Sequence, residues 1–63
     1  MSRYTNVQVR EFTAAEWERH FSGAVIDWSD FTTGAVGVVR DLAAGNGDHD
    51  LYELAAAEYA SRQ

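Results

Sequence analysis

Three oxygen-bearing side chains alternate along a short polar segment of this 63-residue chain. Asn46, Asp48 and Asp50 have the spacing of the first three ligands of a calcium-binding loop, in which alternate side chains surround a hard cation. The rest of that pattern is missing, because Leu51 stands where the loop needs a glycine and Ala57 where it needs a bidentate glutamate. We therefore interpret the segment as an ordinary turn that caps a helix.

Two charged pairs are the other candidates for chemistry. Glu16 with His20, and Glu58 with Arg62, would each share one face of a helix, where such a pair can hold a metal or act as a general base. Neither pair has a third ligand or a nucleophile at a spacing typical of a known site. His49 lies alone in an acidic loop, and the chain has no cysteine or lysine. We expect a non-enzymatic protein with no catalytic residue, no metal and no cofactor.

The distribution of charge is more informative. The first 20 residues hold three glutamates and three arginines, whereas the rest carries seven acids against two arginines and so accounts for the net charge of −5. Such a surface repels nucleic acid and anionic membranes and attracts a basic partner. The candidate partner-binding residues are Asp27, Asp30, Asp41, Asp48, Asp50, Glu53 and Glu58.

A structural role explains part of this charge. Asp30, Asp50 and Glu53 fall at expected helix starts, where the helix dipole stabilises a carboxylate. A net charge of this size also keeps a small domain soluble. The acids left without a structural explanation are Asp27, Asp41, Asp48 and Glu58.

Two segments have the pattern of strands. Residues 3 to 11 alternate, with Thr5, Val7 and Val9 on one side, which predicts a half-buried strand. Residues 24 to 28 are short, apolar and β-branched, which indicates either a second strand or a linker.

A first helix is predicted between these segments. Thr13 and Glu16 form a capping box, and Phe12 and Trp17 occupy the positions of a hydrophobic staple. The helix should begin at residue 14 and end near residue 22, with Gly23 as a left-handed cap.

The remainder of the chain predicts two more helices. From Trp28 the apolar residues recur every three or four positions, Ser29 can cap and Gly45 can terminate the helix. Glycines at 34 and 37 and valines at 36, 38 and 39 leave a third strand at residues 35 to 40 as the alternative. Asp50 and Glu53 form a second possible capping box, for a helix over residues 51 to 62.

Together these elements predict an α+β fold in one domain, residues 1 to 63, held by a core of aromatic and apolar side chains. It would have one or two short N-terminal strands with about three helices packed on them. The alternative is a three-stranded antiparallel sheet with two helices.

A very short, acidic, cysteine-free chain with these seven acids and no active-site motif resembles the small phage-encoded inhibitors of the anti-CRISPR and anti-restriction type. The resemblance implies that the acids imitate the phosphates of DNA and occupy the basic surface of a nucleic-acid-handling protein or complex. It also implies a protein that acts in the cytoplasm of the host cell. From the sequence itself we expect a monomer that binds neither nucleic acid nor membrane directly.

A different class of function is also open. A small protein-interaction or oligomerising regulatory module would use exposed aromatic side chains rather than charge, with Tyr4, Tyr52 and Trp28 as its anchors. The chain has no apolar run of the roughly 18 residues that a membrane span requires. We therefore expect a cytoplasmic protein in either case.

Overall fold

The computed structural model describes residues 3–23 and 25–63. This part of the chain forms α1 (Asn6–Arg10), α2 (Ala14–Phe21), a 3₁₀ turn (Trp28–Asp30), α3 (Thr33–Asn46) and α4 (His49–Ser61). Within it, extended backbone pairs only at a single parallel bridge between Tyr4 and Phe31. The predicted α+β class is therefore wrong, as is the three-stranded alternative, because the domain is almost entirely helical.

The predicted first strand is a short helix. Thr5 and Gln8 form a capping box, in which the Thr5 amide donates to Gln8 Oε1 over 2.8 Å and the Gln8 amide donates to Thr5 Oγ1 over 3.4 Å. This local signal starts α1 and overrides the alternating pattern. Val9 is buried and Val7 is exposed, so the two valines do not share the buried face that a strand would give them.

The predicted second strand is also absent. Ala24, its first residue, lies outside the described residues, and the rest of the segment leads into the 3₁₀ turn. The single bridge takes its place: the Tyr4 amide donates to Asp30 O over 2.8 Å, and the Thr32 amide donates to Tyr4 O over 3.0 Å. These two bonds fasten the start of the chain beside the start of α3.

The predicted start of α2 is confirmed. The Thr13 amide donates to Glu16 Oε1 over 3.0 Å, and the Glu16 amide donates to Thr13 Oγ1 over 3.2 Å. The helix ends with Ser22 as a right-handed C-cap, so the left-handed cap predicted at Gly23 is wrong.

The helix interpretation of the next segment is confirmed and the strand at residues 35 to 40 is wrong. The N-cap is Thr32, which accepts from the Ala35 amide over 3.2 Å, so the helix begins later than a cap at Ser29 would allow. It ends at Asn46 and is capped by Gly47, whose φ of 74° suits glycine, rather than terminating at Gly45. The capping of α4 is likewise shifted by two residues, since Asp48 rather than Asp50 is its N-cap.

The core is organised around α3. This helix packs along α4 on one side and against α1 on another. Its small and β-branched side chains let the neighbouring helices approach closely, which outweighs the poor helix propensity of its glycines and valines. The buried apolar residues are Val9, Phe21, Phe31, Ala35, Val36, Val38, Val39, Ala43, Leu51 and Ala55.

Candidate interaction surfaces

The seven candidate acids lie in two groups, toward opposite ends of α3. That helix has 14 residues and is therefore about 21 Å long, but Glu53 and Glu58 of the two groups lie only about 7.5 Å apart along the axis of α4. One group lies along the second half of α3 and the start of α4; we call it the acidic hairpin end, and it comprises Asp41, Asp48, Asp50 and Glu53. The other group, at the opposite end, comprises Asp27, Asp30 and Glu58. The structure therefore does not bring all seven acids into one surface.

The acidic hairpin end keeps most of its charge free. Asp50 and Glu53 are exposed, and neither side chain makes a hydrogen bond or ion pair with another described residue. Asp48 is exposed but occupied as a cap, accepting from the Leu51 amide over 3.2 Å. Asp41 pairs with its neighbour Arg40 over 3.3 Å while its side chain remains 71% exposed.

Two members of the other group make side-chain contacts within the molecule. Glu58 forms a 2.7 Å ion pair with Arg62, which neutralises its charge. Asp27 is exposed and accepts a 2.5 Å hydrogen bond from the Ser29 hydroxyl. Asp30 is exposed at the end of the 3₁₀ turn; its backbone oxygen accepts from Tyr4, and its carboxylate makes no hydrogen bond or ion pair with another described residue.

Arg62 has a structural role that its spacing from Glu58 does not reveal. Its guanidinium donates to the carbonyl oxygens of Trp28, over 2.7 Å, and Phe31, over 2.8 Å, in addition to its bond with Glu58. These groups are more than 25 residues away in sequence, and no motif connects them. The predicted helical pair is thus one arm of a clamp that holds the end of α4 to the segment before α3.

Two of the three expected aromatic anchors belong to the interior. Tyr4 and Trp28 are half-buried and pack against the core, and the Tyr4 ring stacks on Phe31 with centroids 5.2 Å apart. Tyr52 is 39% exposed. Of these three residues, only Tyr52 is therefore exposed enough to contact a partner.

His20 is part of the aromatic cluster and not of a site with carboxylates. Its ring stacks on Phe12 with centroids 5.2 Å apart and meets the edge of Tyr4 at 4.9 Å. Its Nε2 atom is buried without a hydrogen-bond partner among the described residues. His49 is exposed at the start of α4, beyond the other end of α3, so the two histidines do not converge.

Glu16, the helical neighbour of His20, is committed to the cap of α2. The hydrogen bond from the Thr13 amide, followed by the contact with the Thr13 side chain, holds the pKa of Glu16 below its usual value. A lowered pKa makes the Glu16 carboxylate a weaker base, and its Oε1 atom already accepts from the Thr13 amide. The structure therefore gives Glu16 a role in the start of a helix.

An open apolar groove of about 300 Å³ runs between the start of α2 and the second half of α3. The sequence pattern does not predict this groove, because its walls come from three separate helices. Its apolar walls are Val9, Phe12, Trp17 and Leu42, and its polar rim includes Arg10 and Asn46. Among the described residues Arg10 forms no ion pair within the chain.

Neither a metal centre nor a membrane-spanning helix is found in residues 3–23 and 25–63. Within these ranges no three side chains of the metal-binding types come together. No helix there has both the length and the apolar character needed to cross a bilayer. No protein-family model, curated protein or solved structure matches the chain.

Proposed function

We propose that this protein is a non-enzymatic inhibitor that binds a basic nucleic-acid-handling protein, of the CRISPR or restriction type, through the acidic hairpin end. The observation that carries the proposal is the placement of Asp50 and Glu53 on neighbouring turns of α4, both exposed and both unpaired among the described residues. Asp41 and Asp48 add charge close by.

The arrangement favours recognition through charge. Carboxylates presented on a rigid helix can occupy positions where a basic cleft binds successive phosphates. Glu58, being paired with Arg62, contributes little to such a surface, and Asp27 and Asp30 precede α3, at the end opposite to the turn between α3 and α4. The proposed binding surface is therefore smaller than the set of seven acids.

The test is a DNA-cleavage assay with a panel of purified restriction and CRISPR nucleases. We expect inhibition of at least one enzyme, weakening as salt is raised because the contact is electrostatic. Replacing both key acids, as D50N/E53Q, should weaken inhibition by about tenfold, since the loss of two charge contacts corresponds to roughly 1.4 kcal/mol.

The matched control is E11Q/E18Q, which removes two exposed carboxylates from the balanced first part of the chain. It should inhibit as strongly as the wild type. The proposal is wrong if the panel shows no inhibition, or if D50N/E53Q, shown by circular dichroism to be folded, inhibits as well as the control.

A further inference from the structure

The outer face of α4 carries an exposed apolar side chain beside two carboxylates. Leu54 is 53% exposed, and Asp50 and Ala57 lie four residues before and three residues after it on the same helical stripe. Glu53 is adjacent. Leucine on a helix face with acids beside it is typical of an anchor that docks into an apolar groove with a basic rim.

The groove beside α2 has the complementary character. Phe12, Trp17 and Leu42 provide apolar walls, and Arg10 is the charged residue at its rim. In a chain of net charge −5, this combination of an apolar floor and a cation selects an acidic, apolar segment. Because the groove is open and its walls come from separate helices, it suits a side chain presented by another protein surface better than an enclosed small molecule.

From this match we infer that a second copy of the chain is the occupant: Leu54 of each copy enters the groove of the other, and Arg10 pairs with Asp50 across the interface. The groove includes Leu42 and Asn46 from the second half of α3, and Leu54 lies in the first half of α4, the helix that follows. A two-fold axis near the turn between α3 and α4 would make the contact reciprocal.

A dimer of standard size would cover a moderate fraction of the surface of each copy. A standard interface buries about 800 Å² on each partner, which is about a fifth of the 4275 Å² that the described protein exposes. Each copy contributes two patches, a groove and an anchor. We therefore expect a reversible, concentration-dependent dimer in place of the monomer expected from the sequence.

The dimer also has a regulatory consequence, which rests on the proposed function. Asp50 cannot pair with Arg10 of a second copy and with a basic partner at the same time. Dimerisation would therefore withdraw the acidic hairpin end from its target. Self-association itself needs no partner and is tested separately.

Sedimentation equilibrium of the full chain, from micromolar to millimolar concentration, tests the inference. The wild type should show a mass that rises toward twice 7.0 kDa. Leu54→Asp should raise the dissociation constant at least about 30-fold, as expected for the loss of an anchor residue. The matched control is Val25→Asp, because Val25 is 87% exposed and lies outside the proposed contact.

A charge exchange tests the polar contact. Arg10→Glu alone should weaken the dimer about tenfold, and R10E combined with D50R should restore it, because the pair is reversed in both copies. A monomer at every concentration, an L54D variant that dimerises like V25D, or a double variant no stronger than R10E would each overturn the inference. None of these outcomes bears on nuclease inhibition, which is measured independently.

Discussion

The guanidinium of Arg62 donates a 2.7 Å hydrogen bond to the carbonyl oxygen of Trp28, 34 residues earlier in the chain. Through Nε and the second terminal nitrogen the same group also binds Glu58 and the carbonyl of Phe31. The clamp joins the last turn of α4 to the segment that precedes α3. A side chain only 18% exposed thus closes the domain where regular secondary structure is lacking.

Arg62→Ala should lower the free energy of unfolding by about 2–3 kcal/mol, because hydrogen bonds to a charged group contribute about 1.5–3 kcal/mol. The Phe31 carbonyl would lose its donor, and the Trp28 carbonyl would keep only the Phe31 amide. Arg62→Lys should recover less than half of that loss, since an ammonium cannot reproduce the planar fork. Urea unfolding followed by tryptophan fluorescence measures both. The exposed Arg19, changed to alanine, should alter stability by no more than about 0.5 kcal/mol; equal effects at both positions would contradict the clamp.

Two glycines of α3 should respond differently to alanine. A Cβ at Gly45 would meet no atom within 4 Å, whereas a Cβ at Gly37 would lie 3.1 Å from the Tyr59 ring. Gly45→Ala should therefore stabilise the protein by about 0.5–1 kcal/mol through helix propensity. Gly37→Ala should gain none of this, because the ring must shift and the Arg40 guanidinium already lies over it at 4.7 Å from its centroid.

Thermal unfolding of these two variants, compared with the wild type, gives the measurement. Similar stabilisation by both substitutions would show that the Tyr59 ring can shift without lowering the free energy of unfolding. In that case the close approach at Gly37 would not be a reason for glycine at this position.

Local sequence motifs predict the features of the fold that depend on interactions within one helical turn, such as the start of α2. The box of Thr13 and Glu16 placed the start of α2 correctly because both partners lie within one helical turn. The same motif at Thr5 and Gln8 starts α1, whereas the alternation of residues 3 to 11 predicts a strand, and the α+β class that includes this strand is wrong. A five-residue helix shows too little of the 3.6-residue period to compete with apparent alternation.

The spacing of residues in the sequence does not predict contacts between distant parts of the chain. Nothing local connects Arg62 to Trp28, and the groove exists only because α1, α2 and α3 converge. The acids were recognised as a set from their composition. Their division into two ends follows from the antiparallel course of α3 and α4, which sequence periodicity does not place in space.

The cap of α2 should make part of the stability depend on pH. The Thr13 contacts lower the pKa of Glu16 in the folded state, so the folded protein binds its proton less readily than the unfolded chain, whose glutamates titrate near about 4.3. This contribution is complete above that value and is lost as pH falls through the lower, folded pKa. Glu16→Gln keeps an acceptor for the Thr13 amide but cannot titrate.

Two measurements check the effect of the cap. Carbon-13 NMR titration of the Glu16 carboxyl should give a midpoint below the value of a model peptide. Urea unfolding between about pH 3 and pH 5 should show a shallower dependence on pH in E16Q than in the wild type. A Glu16 midpoint at or above the peptide value would show that the capping hydrogen bonds do not favour the ionised form.

The buried Nε2 of His20 predicts that a less polar ring would suit its site better. The atom has no hydrogen-bond partner among the described residues, and leaving a buried polar group unsatisfied costs about 1–3 kcal/mol. The surroundings are aromatic, with Phe12 stacked on the ring and Phe31 meeting it edge-on at 5.7 Å between centroids. His20→Phe should therefore raise the free energy of unfolding by about 1 kcal/mol, measured by urea denaturation. His49→Phe, at an exposed position, is the matched control and should change stability by no more than about 0.5 kcal/mol. A loss of stability in H20F that H49F does not share would mean that the imidazole nitrogen has a partner in solution.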